Sequence, residues 1–256
     1  MTIFRAAYVF PVCADPIKNG VITVNDEGKI ISVSNNHDSN DKSVEYVKGI
    51  ICPGFVNTHC HLELSHLKDK IPPREGLINF IKNIQSVRNA DAGVITDAAV
   101  KADKEMYDNG IVAVGDICNS NITIPVKAKS KIYYHSFSEV FSFQPARAQE
   151  VFDKALALSN EFKPGSGSIT PHSPYSVSKE LYRLIKQYCE TGTNLLSIHN
   201  QESDEENKFF RYRFGGVLDL YDHFGIDISH FKSQARNSLQ SIIPLLTNKQ
   251  EVLLVH

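Results

Sequence analysis

Ile50-Ile51-Cys52-Pro53-Gly54-Phe55-Val56-Asn57-Thr58-His59-Cys60-His61 is the stretch that decides how this chain folds. An apolar run bends at Pro53-Gly54, resumes as a strand and ends on two histidines one residue apart. Residues i and i+2 of an extended strand point to the same side. His59 and His61 therefore project together, and Cys60 turns away. Two neutral imidazoles aimed at one point form half of a zinc-type site. The remaining ligands must come from elsewhere in the chain.

Upstream of this stretch, residues 1–50 read as a small β unit. Ile3 to Phe10 is a short strand, and Val21–Val24 and Lys29–Val33 form a hairpin around the turn Asn25-Asp26-Glu27-Gly28. Asn35 to Ser43 is a polar loop, and Val44 to Ile51 is another strand. Downstream, strands alternate with helices. Helical periodicity covers Leu77–Arg88 and Gly93–Tyr107, and Asn109-Gly110 stops the second helix. Strands follow at Ile111–Val114, Ile132–Ser136, Ser168–Thr170, Asn194–Ile198 and Val252–Val255. Helices are expected at Ala146–Phe162, at Ser178 to Glu190, from Ser203 with the capping pattern Ser203-x-x-Glu206, and near Ser238–Leu246. Repeated strand-helix units imply a parallel sheet. Six strands from residue 50 onward are too few to close an eight-stranded barrel. Counting alone also allows an open doubly wound sheet.

The composition narrows the function. The chain has 256 residues, 42% of them hydrophobic, and a formal net charge of −2. That charge gives no reason to expect nucleic acid or an anionic membrane as a partner. Five scattered cysteines without a Cys-x-x-Cys pattern fit free thiols in a reducing, cytoplasmic setting. No apolar run reaches membrane-spanning length, and the N-terminus lacks the regions of a signal peptide. The expected partner is a small-molecule substrate, and a homodimer is left open.

The chemistry-bearing residues share one location. His59, His61, Asp116, Glu139, His172, His199 and His256 all fall at or just past the C-terminal end of an expected strand. Active sites of parallel α/β folds lie on that rim. With His199 as third ligand, Glu202 lies beside it, where a carboxylate can take a proton from an activated water and return it to a leaving group. Glu202 could instead complement the N-terminal end of the following helix, as Asp204, Glu205 and Glu206 do. His256 could ligate a metal or orient the nucleophilic water. His172 reads equally as a substrate contact or a structural residue. Glu63 continues the i, i+2 series from His61 and would suit a polar N–H edge of a substrate. Glu139 and Asp116 could orient ligands, touch substrate or cap the rim. His66 follows closely but carries less. His37, His135, His223 and His230 read as structural or surface residues.

Taken in order, several motifs resemble the amidohydrolase superfamily in its cytosine deaminase and chlorohydrolase-like branch. They are Pro53-Gly54-Phe55-Val56-Asn57-Thr58-His59-Cys60-His61, Gly110 to Asp116, Pro171-His172-Ser173-Pro174-Tyr175-Ser176, His199-Asn200-Gln201-Glu202 and Leu253-Leu254-Val255-His256. The resemblance implies a metal-dependent (β/α)8 TIM barrel over residues 51–256, preceded at 1–50 by the N-terminal part of a β-sandwich domain. It implies one divalent metal, zinc first and iron as the alternative, held by His59, His61 and His199. It makes Glu202 the proton shuttle, has His256 bond the activated water, and makes His172 substrate-binding; Glu63 and Glu139 join it as substrate-binding candidates on their position in the sequence alone. Bimetallic relatives carry a carboxylated lysine after the fourth strand. Ser168-Ile169-Thr170 offers none, which favours one metal. Within the branch, the two histidine motifs are most similar to aminodeoxyfutalosine deaminases.

The implied reaction is hydrolytic deamination of an amino-substituted, purine-like heterocycle. Chlorohydrolase or cyclic-amide hydrolysis is the runner-up, and an inactive metal-binding fragment is the other class of reading. The family's last ligand, an aspartate after strand 8, has no counterpart here. The expected barrel is therefore incomplete, with about six βα units.

Overall fold

The computed structural model describes residues 1–35, 44–162, 166–191, 194–233 and 235–256. Most of the expected polar loop 35–43, with His37, lies outside the described residues. The chain divides into two compact units, Met1–Phe55 and Val56–His256.

The first unit is a single five-stranded sheet. Its strands are β1 (Thr2–Val9), β2 (Ile17–Lys18), β3 (Val21–Val24), β4 (Ile30–Ser34) and β5 (Val44–Ile51). The β3–β4 turn forms because Asn25 Oδ1 accepts from the backbone N–H groups of Glu27 and Lys29 at 3.1 and 2.8 Å. Gly28 supplies the left-handed backbone there, with φ +80°. β5 runs parallel to β1.

The second unit begins with β6 (Phe55–Cys60), a 3-10 turn at Leu62–Leu67, α1 (Gly76–Val87) and α2 (Ala92–Asp108). It continues through β7 (Ile111–Cys118), α3 (Ile124–Lys127), β8 (Tyr133–Val140), α4 (Ala148–Glu161) and β9 (Ser166–Pro171). Then come α5 (Lys179–Cys189), β10 (Asn194–His199), α6 (Asp204–Tyr212), α7 (Gly216–Phe224), α8 (Ser238–Ile242) and β11 (Gln250–Val255). β7, β8 and β9 pair in parallel, as do β10 and β11. Among the described residues no helix is long and apolar enough to cross a membrane.

Period-2 alternation sorts β10 into two faces. Leu196 and Ile198 pack with Phe152 and Ala155 of α4 and with Leu181 and Ile185 of α5. Ser197 and His199 take the other face, which is polar. Side chains stitch the seam between β9 and β10: Thr170 Oγ1 donates to Ser197 O and accepts from Ser197 N, both at 2.8 Å. Gly115 lets β6 and β7 approach, since a Cβ there would lie 2.6 Å from Thr58 O.

Two expectations change. Ser203 precedes α6 but makes no side-chain capping bond. Glu206 instead accepts from the Glu202 backbone N–H at 3.1 Å and from Asn200 Nδ2 at 3.3 Å. Helix α7 was not anticipated from the sequence.

A buried ion pair fixes the rim beside His61. Asp116 Oδ1 accepts from Leu62 N at 2.7 Å. Its Oδ2 lies 2.6 Å from Lys127 Nζ, with the two side chains 1% and 8% exposed. Lys127 also donates to Ser136 Oγ at 2.9 Å and Cys118 Sγ at 3.1 Å. Burial alone would lower the Lys127 pKa, but the Asp116 carboxylate outweighs it and the net direction is up. Removing one partner strands a buried charge, which costs about 3–5 kcal/mol. Lys127→Met should therefore move the denaturant midpoint down by that equivalent, and a shift below about 1 kcal/mol would contradict the role given to this pair.

Candidate metal centre and active site

Three imidazoles meet although they come from distant parts of the chain. The Nε2 atoms of His59 and His61 are 3.1 Å apart, those of His59 and His199 3.0 Å, and those of His61 and His199 3.2 Å. In a flat sheet the first and fifth strands would lie about 19 Å apart, at roughly 4.8 Å per strand. The strands β6 to β10 must therefore curl around a common axis, which answers the open-sheet alternative.

Neighbouring groups fix the tautomers. His199 Nδ1 lies 3.1 Å from the His172 carbonyl oxygen, which can only accept. Nδ1 carries the proton, and the Nε2 lone pair turns inward. His59 Nδ1 lies 3.1 Å from Ser197 Oγ, a hydroxyl able to accept its proton. Cys60 points the other way, against the cluster of Leu62, Ala99 and Val114, and burial raises its thiol pKa to about 12.

Burial, reinforced by the neighbouring imidazoles, lowers the pKa of His59 to about 4, of His61 to about 3 and of His199 to about 2. All three are neutral at pH 7. Three neutral lone pairs crowded at this spacing repel one another unless a cation lies among them. Zinc–nitrogen bonds of about 2.0–2.1 Å suit such spacing, so the donor set fits a divalent metal.

His256 joins this group. Its ring stacks on His199 with centroids 5.3 Å apart and lies 5.5 Å from His59. Ligand atoms of His59, His199 and His256 fall within 4.8 Å of one another. Those of Glu139, His172 and His199 do so as well. The His172 ring is 4.8 Å from that of His199, and its Nδ1 is near Ser176 Oγ at 2.8 Å and Ser173 Oγ at 3.0 Å. Glu139 is buried; its Oε2 accepts from Asn119 Nδ2 at 3.0 Å. Its Oε1 has no hydrogen-bond partner among the described residues and lies 3.8 Å from His199 Nδ1.

Glu202 follows Gln201, whose backbone is left-handed at φ 63°. Its Oε2 accepts from the Tyr175 hydroxyl at 2.6 Å. The buried Tyr175 is itself braced by Tyr221, whose hydroxyl donates to the Tyr175 carbonyl. Residues that sequence reasoning gave no role therefore hold the centre: Ser197, Tyr175, Asn119 and Lys127. Ser197 stands two residues before His199, so the i, i+2 rule could have found it.

Glu63 is placed differently from its expectation. The backbone leaves the strand and winds into a 3-10 turn at Leu62, so the i, i+2 series does not reach position 63. Its carboxylate accepts from Asn119 N, Ser120 N and Ser120 Oγ at 3.2, 3.1 and 2.8 Å, and Arg88 lies 3.9 Å away. Glu63 is thus engaged in anchoring the loop after β7. Asp116 is committed to Leu62 and Lys127. His66 lies between the carbonyls of Glu63 and Arg88. His135 bonds Ser166 and Ser168, His223 packs on Phe224, and His230 packs on Phe143.

A curled parallel sheet with this imidazole centre defines a class. The pattern of the Amidohydrolase family matches residues 50–227, and the chain belongs to that metal-dependent family. It is 28% identical over 199 residues to an adenosine deaminase of Helicobacter pylori, covering 75% of this chain and 47% of that protein. It is 27% identical over 194 residues to an aminodeoxyfutalosine deaminase of Deinococcus radiodurans, covering 70% and 44%. The chain thus spans about half the length of the curated relatives it matches. Among solved structures, the aminofutalosine deaminase of Helicobacter pylori in complex with methylthio-coformycin superposes with a TM-score of 0.79 at 19% identity, over 96% of this chain and 61% of that one. An adenosine deaminase from Xanthomonas campestris with bound zinc gives 0.65 at 19% identity, over 88% and 55%. These likenesses support a TIM-barrel-like metal-dependent hydrolase fold.

Two outcomes follow from this geometry. Loss of an outer hydrogen bond to a ligating histidine weakens metal affinity about 10–100-fold. Ser197→Ala should do so in a chelator-competition titration, and unchanged affinity would remove Ser197 from the site. The second outcome concerns acid. Unfolded histidines protonate near pH 6.5, whereas these do so only at about 4 and below. Between those limits the unfolded state binds more protons, so the metal-free protein should lose stability as pH falls below about 6.5. Equilibrium unfolding midpoints at pH 7, 6, 5 and 4 test this, and a flat profile would contradict it.

Proposed function

We propose that this chain carries the catalytic centre of a hydrolytic deaminase acting on a purine-like amino heterocycle of the adenosine or aminodeoxyfutalosine type. The observation that supports it best is Glu202, held by Tyr175 on the rim that bears the three imidazoles. His59, His61 and His199 would hold one divalent ion, for which zinc is the first choice and iron the alternative. When bound, such an ion supplies Lewis acidity that brings the pKa of a water toward neutrality.

The remaining steps belong to the chain's own side chains. Glu202 accepts a proton from the attacking water and delivers it to the departing amine, so that ring–NH2 and water become ring oxo product and ammonia. The Tyr175 hydroxyl fixes which way that carboxylate faces. His256 hydrogen-bonds the water. His172 and the unpartnered Glu139 Oε1 face the ring edge, where a carboxylate oxygen would accept from a substrate N–H. Glu63, already occupied by Asn119 and Ser120, is assigned to the scaffold. The purine-like substrate follows from the deaminases that the chain resembles.

Ammonia release from adenosine, 5'-deoxyadenosine and aminodeoxyfutalosine tests the reading. Glu202→Gln should retain metal and lose about 10²–10⁴-fold in turnover. Turnover like that of the unaltered chain would exclude Glu202 as the proton carrier. Metal uptake without ammonia release from any of these substrates would leave the chain a metal-binding fragment.

A further inference from the structure

We propose that Phe141, just past the end of β8, is an aromatic platform that stacks on the flat face of the substrate and selects planar heterocycles over saturated cyclic amides. The inference rests on the deaminase reading above and names the residue that narrows its substrate class.

Alternation along β8 sets the direction of the ring. Val140 packs outward, with Phe152 and Ala155 of α4 and Leu181 of α5. Glu139 points the other way, to His199. Phe141 shares the parity of Glu139, one step nearer the mouth. That parity persists only while the backbone stays extended. It does so here, since Ser142 still bridges in parallel to Val177. The Phe141 ring accordingly lies 6.1 Å from the His172 ring, at 66° to it. The His172 ring in turn lies 4.8 Å from that of His199.

The platform is accessible and rigidly mounted. Phe141 is 45% exposed, whereas Val140 and Phe143 on either side are 1% and 7% exposed. The backbone is tied on both sides of it. Val140 O accepts from His172 N, and Ser142 O accepts from Ser178 N, both at 2.9 Å. A phenylalanine held by its backbone with a free ring face has little freedom left to lose when a ligand covers it. Ring faces favour offset stacking on another π system. A planar heterocycle offers such a face, and a puckered, saturated ring does not.

The chain contains no tryptophan, so Phe141→Trp places a lone reporter on the platform. The full chain loaded with zinc is titrated with adenosine, and with dihydrouracil as the saturated control. The expected result is saturable quenching of the tryptophan by adenosine and none by dihydrouracil. Cutting a stacked aromatic to alanine weakens base binding about 5- to 150-fold. Phe141→Ala should therefore raise the adenosine Kd in calorimetry, and KM in the ammonia assay, by that factor with kcat held. Phe141→Tyr, which keeps the ring, should restore both. Each variant changes an exposed side chain and leaves the core intact. Ammonia release with an unquenched reporter, or an unaltered Kd in Phe141→Ala, overturns the platform and leaves the deaminase reading standing. Quenching by adenosine without ammonia release does the reverse. Quenching by dihydrouracil equal to that by adenosine also overturns the platform, as does the absence of both quenching and ammonia release.

Discussion

The approach of His59 on β6 to Ser197 and His199 on β10 is the constraint around which the second unit is organised. Strands four places apart come within hydrogen-bonding distance only if every intervening pair turns by its share. Small and polar residues permit this turn. Gly115 removes a Cβ that would strike Thr58. Hydroxyls of Ser168, Thr170 and Ser197 satisfy backbone and imidazole groups on the polar side. The apolar weight is carried outside, where β8, β9 and β10 meet α4 and α5. An interior so furnished contributes less hydrophobic stabilisation than a greasy one would. It gains a place where neutral imidazoles, a carboxylate and a phenol can be set at fixed distances.

Charge placement follows the same logic. Burying Asp116 and Lys127 is tolerable because each finds several partners. Their pairing fixes the chain one residue past His61. Glu63 plays a comparable part for Asn119, and Asn119 in turn grips Glu139. The rim is thus held by the buried carboxylates of Asp116 and Glu63.

Much of this was legible in the sequence, for identifiable reasons. The pairing of His59 with His61 follows from the two-residue period of a strand, and runs such as Leu195–Ile198 announce buried strands. The rule failed where the backbone changed type. Glu63 lies past the strand end, in a 3-10 turn, so its apparent phase with His61 is lost. Helix α7 was hidden because Gly215-Gly216 looks like a break; there the Glu205 carboxylate accepts from Gly216 N and starts the helix. The capping box at Ser203 did not form because Glu206 is drawn to Glu202 and Asn200. Tyr175 and Asn119 act through contacts distant in sequence, 27 and 20 residues away respectively, which no local pattern encodes.

The His172 carbonyl has a consequence of its own. One oxygen receives both the backbone N–H of His199 at 2.9 Å and the ring Nδ1–H of the same residue at 3.1 Å. Peptide and imidazole are yoked to a neighbour whose side chain belongs to the adjoining strand's loop. The orientation of the His199 ring is thereby tied through a single atom to the backbone of the loop that follows β9. The aim of the nitrogen donor and the position of that loop's backbone are therefore mechanically one variable.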